Sequence, residues 1–252
     1  MVSEDPGVAK TRIHSPSSAT ASGSLAPQVS PDEVNQVVDV LTAEYGVLMS
    51  ALNAAWSASL TRTSLFLGVL SAAGVAFGFA AQGGMELATY LVLALAVFLI
   101  VLFLGVATFI RLVQVQRESM IYLTGMNRIR YFFQQSAPAS RPYLVLPVYD
   151  DAPALYRSIG TGMTRTPPKF QLLHLTVQTQ GIVGIVTSVV AAACAGIATY
   201  ALGTVAAWVI AAVTFLVTIT ALFVYWQRSL AELRGAIRPL NPTPSEELDA
   251  PF

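Results

Sequence analysis

Residues 87–110, LATYLVLALAVFLIVLFLGVATFI, carry no charge, no amide side chain and no proline. As a helix rising 1.5 Å per residue this run reaches ~36 Å, more than the ~30 Å hydrocarbon core of a bilayer. A helix in water needs apolar residues on one face, whereas a helix apolar all round needs an apolar solvent. Three more apolar runs without a charge or a proline lie at residues 64–82, 181–202 and 205–226. The pattern predicts an all-α fold: a membrane four-helix bundle made of two transmembrane hairpins, with cytoplasmic helical extensions.

The extensions are read from periodicity. Ser30-Pro31-Asp32-Glu33 offers an N-cap, a proline for the first helical position and an acid that closes a capping box. Val34, Val38, Leu41, Tyr45, Leu48, Leu52 and Ala55 then follow at alternating steps of four and three, a seven-residue repeat with one packing seam. Residues 111–135 continue as a helix out of the second crossing, with Leu112, Val115, Tyr122, Met126, Ile129 and Phe133 near one face. Residues 136–168 are rich in proline and predict a loop, with a short extended piece at 143–148 and a helical turn at 153–158. A lead-in helix from residue 169 enters the third crossing, a short helix follows the fourth, and residues 241–252 form a polar tail. Residues 1–29, rich in Ser, Ala and Pro, are expected to be a disordered cytoplasmic tail.

Small residues mark where membrane helices should meet. Gly74 and Gly78 form a GxxxG pair, and Gly184, Ser188, Ala192 and Gly196 recur at steps of four. Residues 87–110 are bulkier and are expected to be the least specialised crossing, turned towards lipid.

Charge sets orientation. All fourteen Lys and Arg residues lie outside the turns at 82–86 and 203–204. The positive-inside rule then places both termini and the central segment in the cytoplasm, at the inner (plasma) membrane. Residues 1–61 hold six acids against two bases, and residues 111–180 eight bases against three acids. The helices flanking the first hairpin are antiparallel neighbours, so Glu44 is expected near Arg128 or Arg130. If the second helix bends at Gly125, those arginines would instead meet anionic head groups. Charged residues make up 11% of the chain and the formal net charge is zero, so nucleic acid is not an expected partner. Membrane lipids, a second copy of the chain and a cytoplasmic protein are.

Candidate chemistry is sparse. No crossing holds a charge, which argues against a proton-coupled pump or an intramembrane protease. Asp150-Asp151 reads as a solvated loop or a cap for the turn that follows, because adjacent carboxylates in an extended chain point apart. His14 and His174 are isolated, Cys194 sits in an apolar run, and Gly160-Thr161-Gly162 lacks the strand and Lys-Ser/Thr of a phosphate loop. The expectation is therefore no catalytic residues, no metal and no cofactor.

The run Asn127-Arg128-Ile129-Arg130-Tyr131-Phe132-Phe133 and the later Tyr149-Asp150-Asp151 resemble those of uncharacterised four-crossing bacterial membrane proteins of actinobacterial type. That resemblance spans residues 30–230 and implies an architecture without an assigned activity. In layout, residues 31–135 also resemble the helix, two crossings and helix of SLATT effector modules. The function expected is that of a non-enzymatic multi-pass membrane protein presenting a cytoplasmic helical hairpin. The alternative is a small channel or pore-forming effector, with Thr187, Ser188, Thr214 and Thr218 as candidate lining.

Overall fold

The computed structural model describes residues 31–158 and 179–244. The expected N-terminal tail, the Ser30 cap, Gly160-Thr161-Gly162, the lead-in helix over 169–178 with His174, and residues 245–252 lie outside the described residues. The chain divides into two compact units, Met1–Asp39 and Val40–Phe252. Of the first, residues 31–39 are described: they open a helix whose first turn carries Asp32 and Glu33, acids suited to the positive end of the helix dipole.

The described residues are helical, with no strand among them. α1 spans Pro31–Gln82 and α2 spans Leu87–Ser136, each unbroken between its polar extension and its apolar run. Gly84 takes a φ of +70° in the turn between them, a conformation that glycine adopts without strain. A 3-10 turn over Pro138–Tyr143 follows, then the short helix α3, Ala152–Ser158. α4 spans Thr179–Ala198, and a 3-10 turn over Tyr200–Leu202 leads through Gly203, φ +107°, to α5, Thr204–Ala236. Four of the helices are long and apolar enough to cross a membrane. The extended piece expected at 143–148 forms no sheet, and the third crossing ends its α-helix at Ala198 because the chain tightens into the 3-10 turn before Gly203.

Within the second unit, α1 buries one seam. Leu52, Ser59, Phe66 and Ala73 are buried at intervals of seven, and Phe77 follows one turn on. The heptad read in the first part of α1 thus continues through the apolar run. Its partner is α2. Phe77 meets Tyr90 and Phe98 with ring centroids 6.1 and 5.1 Å apart, the Trp56 indole N–H donates to Ser119 Oγ at 3.0 Å, and the Arg130 guanidinium reaches the Tyr45 hydroxyl. These pairs form the rungs of one antiparallel ladder.

The lipid-facing role expected for residues 87–110 is not what the structure shows for one face. Ala94, Val101, Gly105, Phe109 and Leu112 are buried, and α2 packs against both α1 and α4. Gly105 is the reason a bulky helix packs closely: a Cβ placed there would lie 2.6 Å from Thr187 Oγ1 and 3.1 Å from the Phe66 ring. The opposite face, with Leu99, Ile100 and Phe103, is exposed.

The small residues singled out earlier divide into two sets. A Cβ on Gly184 would meet the Phe109 ring at 3.2 Å, and one on Gly196 would meet the Ala211 Cβ at 3.4 Å. Ser188 is fully buried and donates to the Gly184 carbonyl at 2.8 Å, and Ala192 is half-buried. Gly74 and Gly78 have nothing within 4 Å of such a Cβ, so among the described residues their face is open.

Candidate functional site

The two stretches that carried the sequence resemblance meet in space. The Asn127 side chain, fully buried on α2, donates from Nδ2 to the Tyr149 carbonyl at 2.8 Å. One residue on, Arg128 Nε donates to Asp150 Oδ2 at 2.7 Å, and Arg128 Nη2 donates to the Arg238 carbonyl at 3.0 Å. Successive residues of a helix point ~100° apart, so Asn127 and Arg128 grip neighbouring points of the same loop while Arg130 turns to the other side. There Arg130 Nη1 donates to Asn127 Oδ1 at 3.0 Å and its guanidinium carbon lies 5.3 Å from the centre of the Tyr45 ring.

Asp150 is the centre of the arrangement. It is fully buried, and besides Arg128 its carboxylate accepts the backbone N–H groups of Leu240, at 2.9 Å, and Asn241, at 2.8 Å. The Asp150 N–H in turn donates to the Asn241 carbonyl at 3.2 Å. Asp151 completes the clamp: it accepts the Thr243 N–H at 2.9 Å and the Thr243 hydroxyl at 2.8 Å, and caps α3 by accepting the Ala154 N–H at 3.2 Å. Burial by itself pushes the Asp150 carboxyl up. The Leu240 N–H, the Arg128 guanidinium and the Asn241 N–H outweigh it and hold the group below its ordinary carboxylate value.

The clamp corrects two expectations. Arg128 and Arg130 do not take Glu44. The ladder places α1 and α2 in the expected register, but the seam of α1 turns Tyr45 towards α2 and leaves Glu44 exposed, so Arg130 takes the phenol and Arg128 takes Asp150. Nor is Asp150 solvated. Asp150 is buried and Asp151 half-buried, and each carboxylate accepts three hydrogen bonds from N–H, O–H or guanidinium donors of the chain. The capping role holds for Asp151. Residues 241–243, expected as the start of a polar tail, are strapped onto the loop.

A cleft of about 230 Å³ lies beside the clamp, walled by Met120, Leu155, Leu233, Ile237 and Pro239, with the two aspartates at its polar end. Sequence reasoning did not find Tyr45, Asn241 or Thr243 as functional partners. Tyr45 was visible as a seam position, but the 238–243 strap carries no periodic signal and acts on residues about ninety positions away.

Removing the Tyr45 hydroxyl should separate the observed pairing from the expected one. Tyr45→Phe keeps the ring over Arg130 but removes its acceptor, and is expected to cost about 1.5 kcal/mol, the lower end for a hydrogen bond to a charged group. Glu44→Ala should stay within about 0.5 kcal/mol of wild type. Thermal unfolding in detergent measures both, and equal losses would contradict the assignment.

No family model, no curated protein and no solved structure matches this chain.

Proposed function

We propose that this chain is a non-enzymatic, multi-pass protein of the inner (plasma) membrane, with both termini and the clamp in the cytoplasm. It presents the α1/α2 hairpin as a rigid platform for protein or lipid contact and works as a homo-oligomer. The observation that carries this reading is the clamp. Asn127, Arg128, Arg130, Asp150 and Asp151, the polar groups that could have formed a reactive centre, are bound to one another and to the backbone at 238–243. Groups paired in this way set a shape; they do not turn lone pairs or protons towards a substrate.

The bundle interior supports a platform over a conduit. Where α1, α2 and α4 meet, Phe66, Val101, Phe109 and Val183 are buried together in one cluster with Gly105 against Thr187. The open face at Gly74 and Gly78 supports the oligomer: glycines on an unoccupied helix face allow the backbone of a second copy to come close.

Light scattering on the detergent-solubilised protein should give a defined oligomer, and Gly74→Leu/Gly78→Leu should dissociate it. In a planar bilayer the same preparation should carry no discrete current. Unitary currents would overturn the platform reading in favour of a pore, and a monomer unaffected by the glycine changes would remove the oligomer.

A further inference from the structure

We propose that the groove between α2 and α5 around Arg117 and Arg228 is a binding site for the phosphodiester head group of an anionic phospholipid. The groove encloses about 420 Å³ and is lined by Arg117, Ala221, Val224, Tyr225, Arg228 and Ser229, with Glu232 at one end. Its position follows from the register of the two helices. The Trp226 indole N–H donates to Gln116 Oε1 at 2.7 Å, and Arg117 Nη1 donates to Ser229 Oγ at 3.4 Å. α2 and α5 run in the same direction here, so Ala221 stands level with the last residues of the charge-free run on α2, which ends before Arg111. Ala221 and Val224 therefore form an apolar floor at the edge of the hydrocarbon. Arg117 and Arg228 stand ~10 Å further out by helix rise, at or just past the outer edge of a head-group layer of ~5–8 Å. Long arginine stems bend back towards that layer.

Charge gives the ligand its class. Two guanidinium groups face one groove, and the single acid, Glu232, lies one turn beyond Arg228 on the cytoplasmic side. The balance at the membrane end is positive, which favours a net anionic lipid over a zwitterionic one. The other arginines on α2 are committed elsewhere: Arg111 pairs with Glu118 at 3.2 Å, Arg128 with Asp150, and Arg130 with Asn127 and Tyr45. The arginines that sequence alone placed near lipid are thus those of the clamp, while the structure turns Arg117 and Arg228 to the groove. Arg228 is exposed and forms no ion pair among the described residues.

This inference rests on the proposed membrane reading, and the test separates the two. The full chain is extracted, purified and reconstituted in nanodiscs containing phosphatidylglycerol and phosphatidylcholine, and retained lipid is counted by native mass spectrometry. Wild type should retain phosphatidylglycerol preferentially. Arg228→Ala, at an exposed residue whose loss leaves the fold intact, should lower that preference about five-fold, and Arg117→Ala/Arg228→Ala further. Arg62→Ala, on α1 outside the groove, should leave it unchanged. Equal retention of both lipids by wild type, or an unchanged preference in Arg228→Ala, would overturn the site. Displacement of the lipid by millimolar glycerophosphoglycerol or inorganic phosphate would also overturn it, since the groove would then read free phosphate. A chain that leaves the membrane fraction without detergent would instead sink the membrane reading itself.

Discussion

Replacing Asp150 with alanine is expected to cost about 2–4 kcal/mol and to loosen residues 240–243, leaving the Arg128 bond to the Arg238 carbonyl and the Asp151 bonds to Thr243 to hold the strap. Three donors lose their acceptor at once: Arg128 Nε and the N–H groups of Leu240 and Asn241. Breaking a buried ion pair from one side costs ~3–5 kcal/mol when the remaining charge stays buried. Arg128 keeps 38% of its side chain exposed and regains water, which sets the lower range. Asp150→Asn preserves volume and one acceptor and should fall between alanine and wild type. Hydrogen exchange in detergent reads the effect directly: amides at 240 and 241 should exchange fast in Asp150→Ala while those of α4 keep their protection. Acid should mimic the substitution. Asp150 is held below its ordinary value, so as pH falls the unfolded chain takes up the proton before the folded one. The stabilisation is complete above about pH 3.9 and is lost only as pH drops through the lower folded value. A clamp that already loosens between pH 7 and 5, or exchange unchanged in Asp150→Ala, would remove the carboxylate from its central role.

Local periodicity carried a good part of this structure. The seam at Tyr45, Leu48 and Leu52 is the face that α1 turns to α2, because a seven-residue repeat in the sequence is a stripe on the helix. The repeat continues to Phe77, past the point where apolar residues on all sides hide it: in a run with no polar face, burial and lipid exposure give the same residue types. For the same reason the role of Gly105 is not legible in the sequence. It stands alone among bulky residues, and no stripe of small residues announces it. The Glu44 expectation had the correct register and the wrong residue, since charge counting locates a neighbouring segment while the ~100° turn per residue decides which side chain faces it. The clamp was legible only in halves. NRIRYFF and YDD were conspicuous as strings, but their meeting with residues 238–243 is a long-range contact with no counterpart in local pattern.

The close approach at Gly105 leads to the second large effect. Gly105→Ala is expected to destabilise the bundle by about 1–3 kcal/mol, the range for overpacking a filled site, and Gly105→Val by more. The added Cβ would sit 2.6 Å from Thr187 Oγ1, a distance that real Cβ atoms do not tolerate, and 3.1 Å from two carbons of the Phe66 ring. Neither neighbour yields easily. Thr187 is fully buried, β-branched and confined in χ1, and Phe66 is 2% exposed. The helices must then separate, and α2 would lose α1 and α4 together. Thr187→Ala removes the nearer obstacle, so Gly105→Ala should cost less in the Thr187→Ala background than alone, a coupling of at least about 0.5 kcal/mol in a double-mutant cycle. Thr187→Val keeps the shape and drops a buried hydroxyl that has no hydrogen-bond partner among the described residues, and should be neutral or mildly stabilising. Equilibrium unfolding of the four proteins in mixed micelles would measure the cycle. Strict additivity would mean that Gly105 and Thr187 do not touch, and the packing of α2 between α1 and α4 would have to be drawn differently.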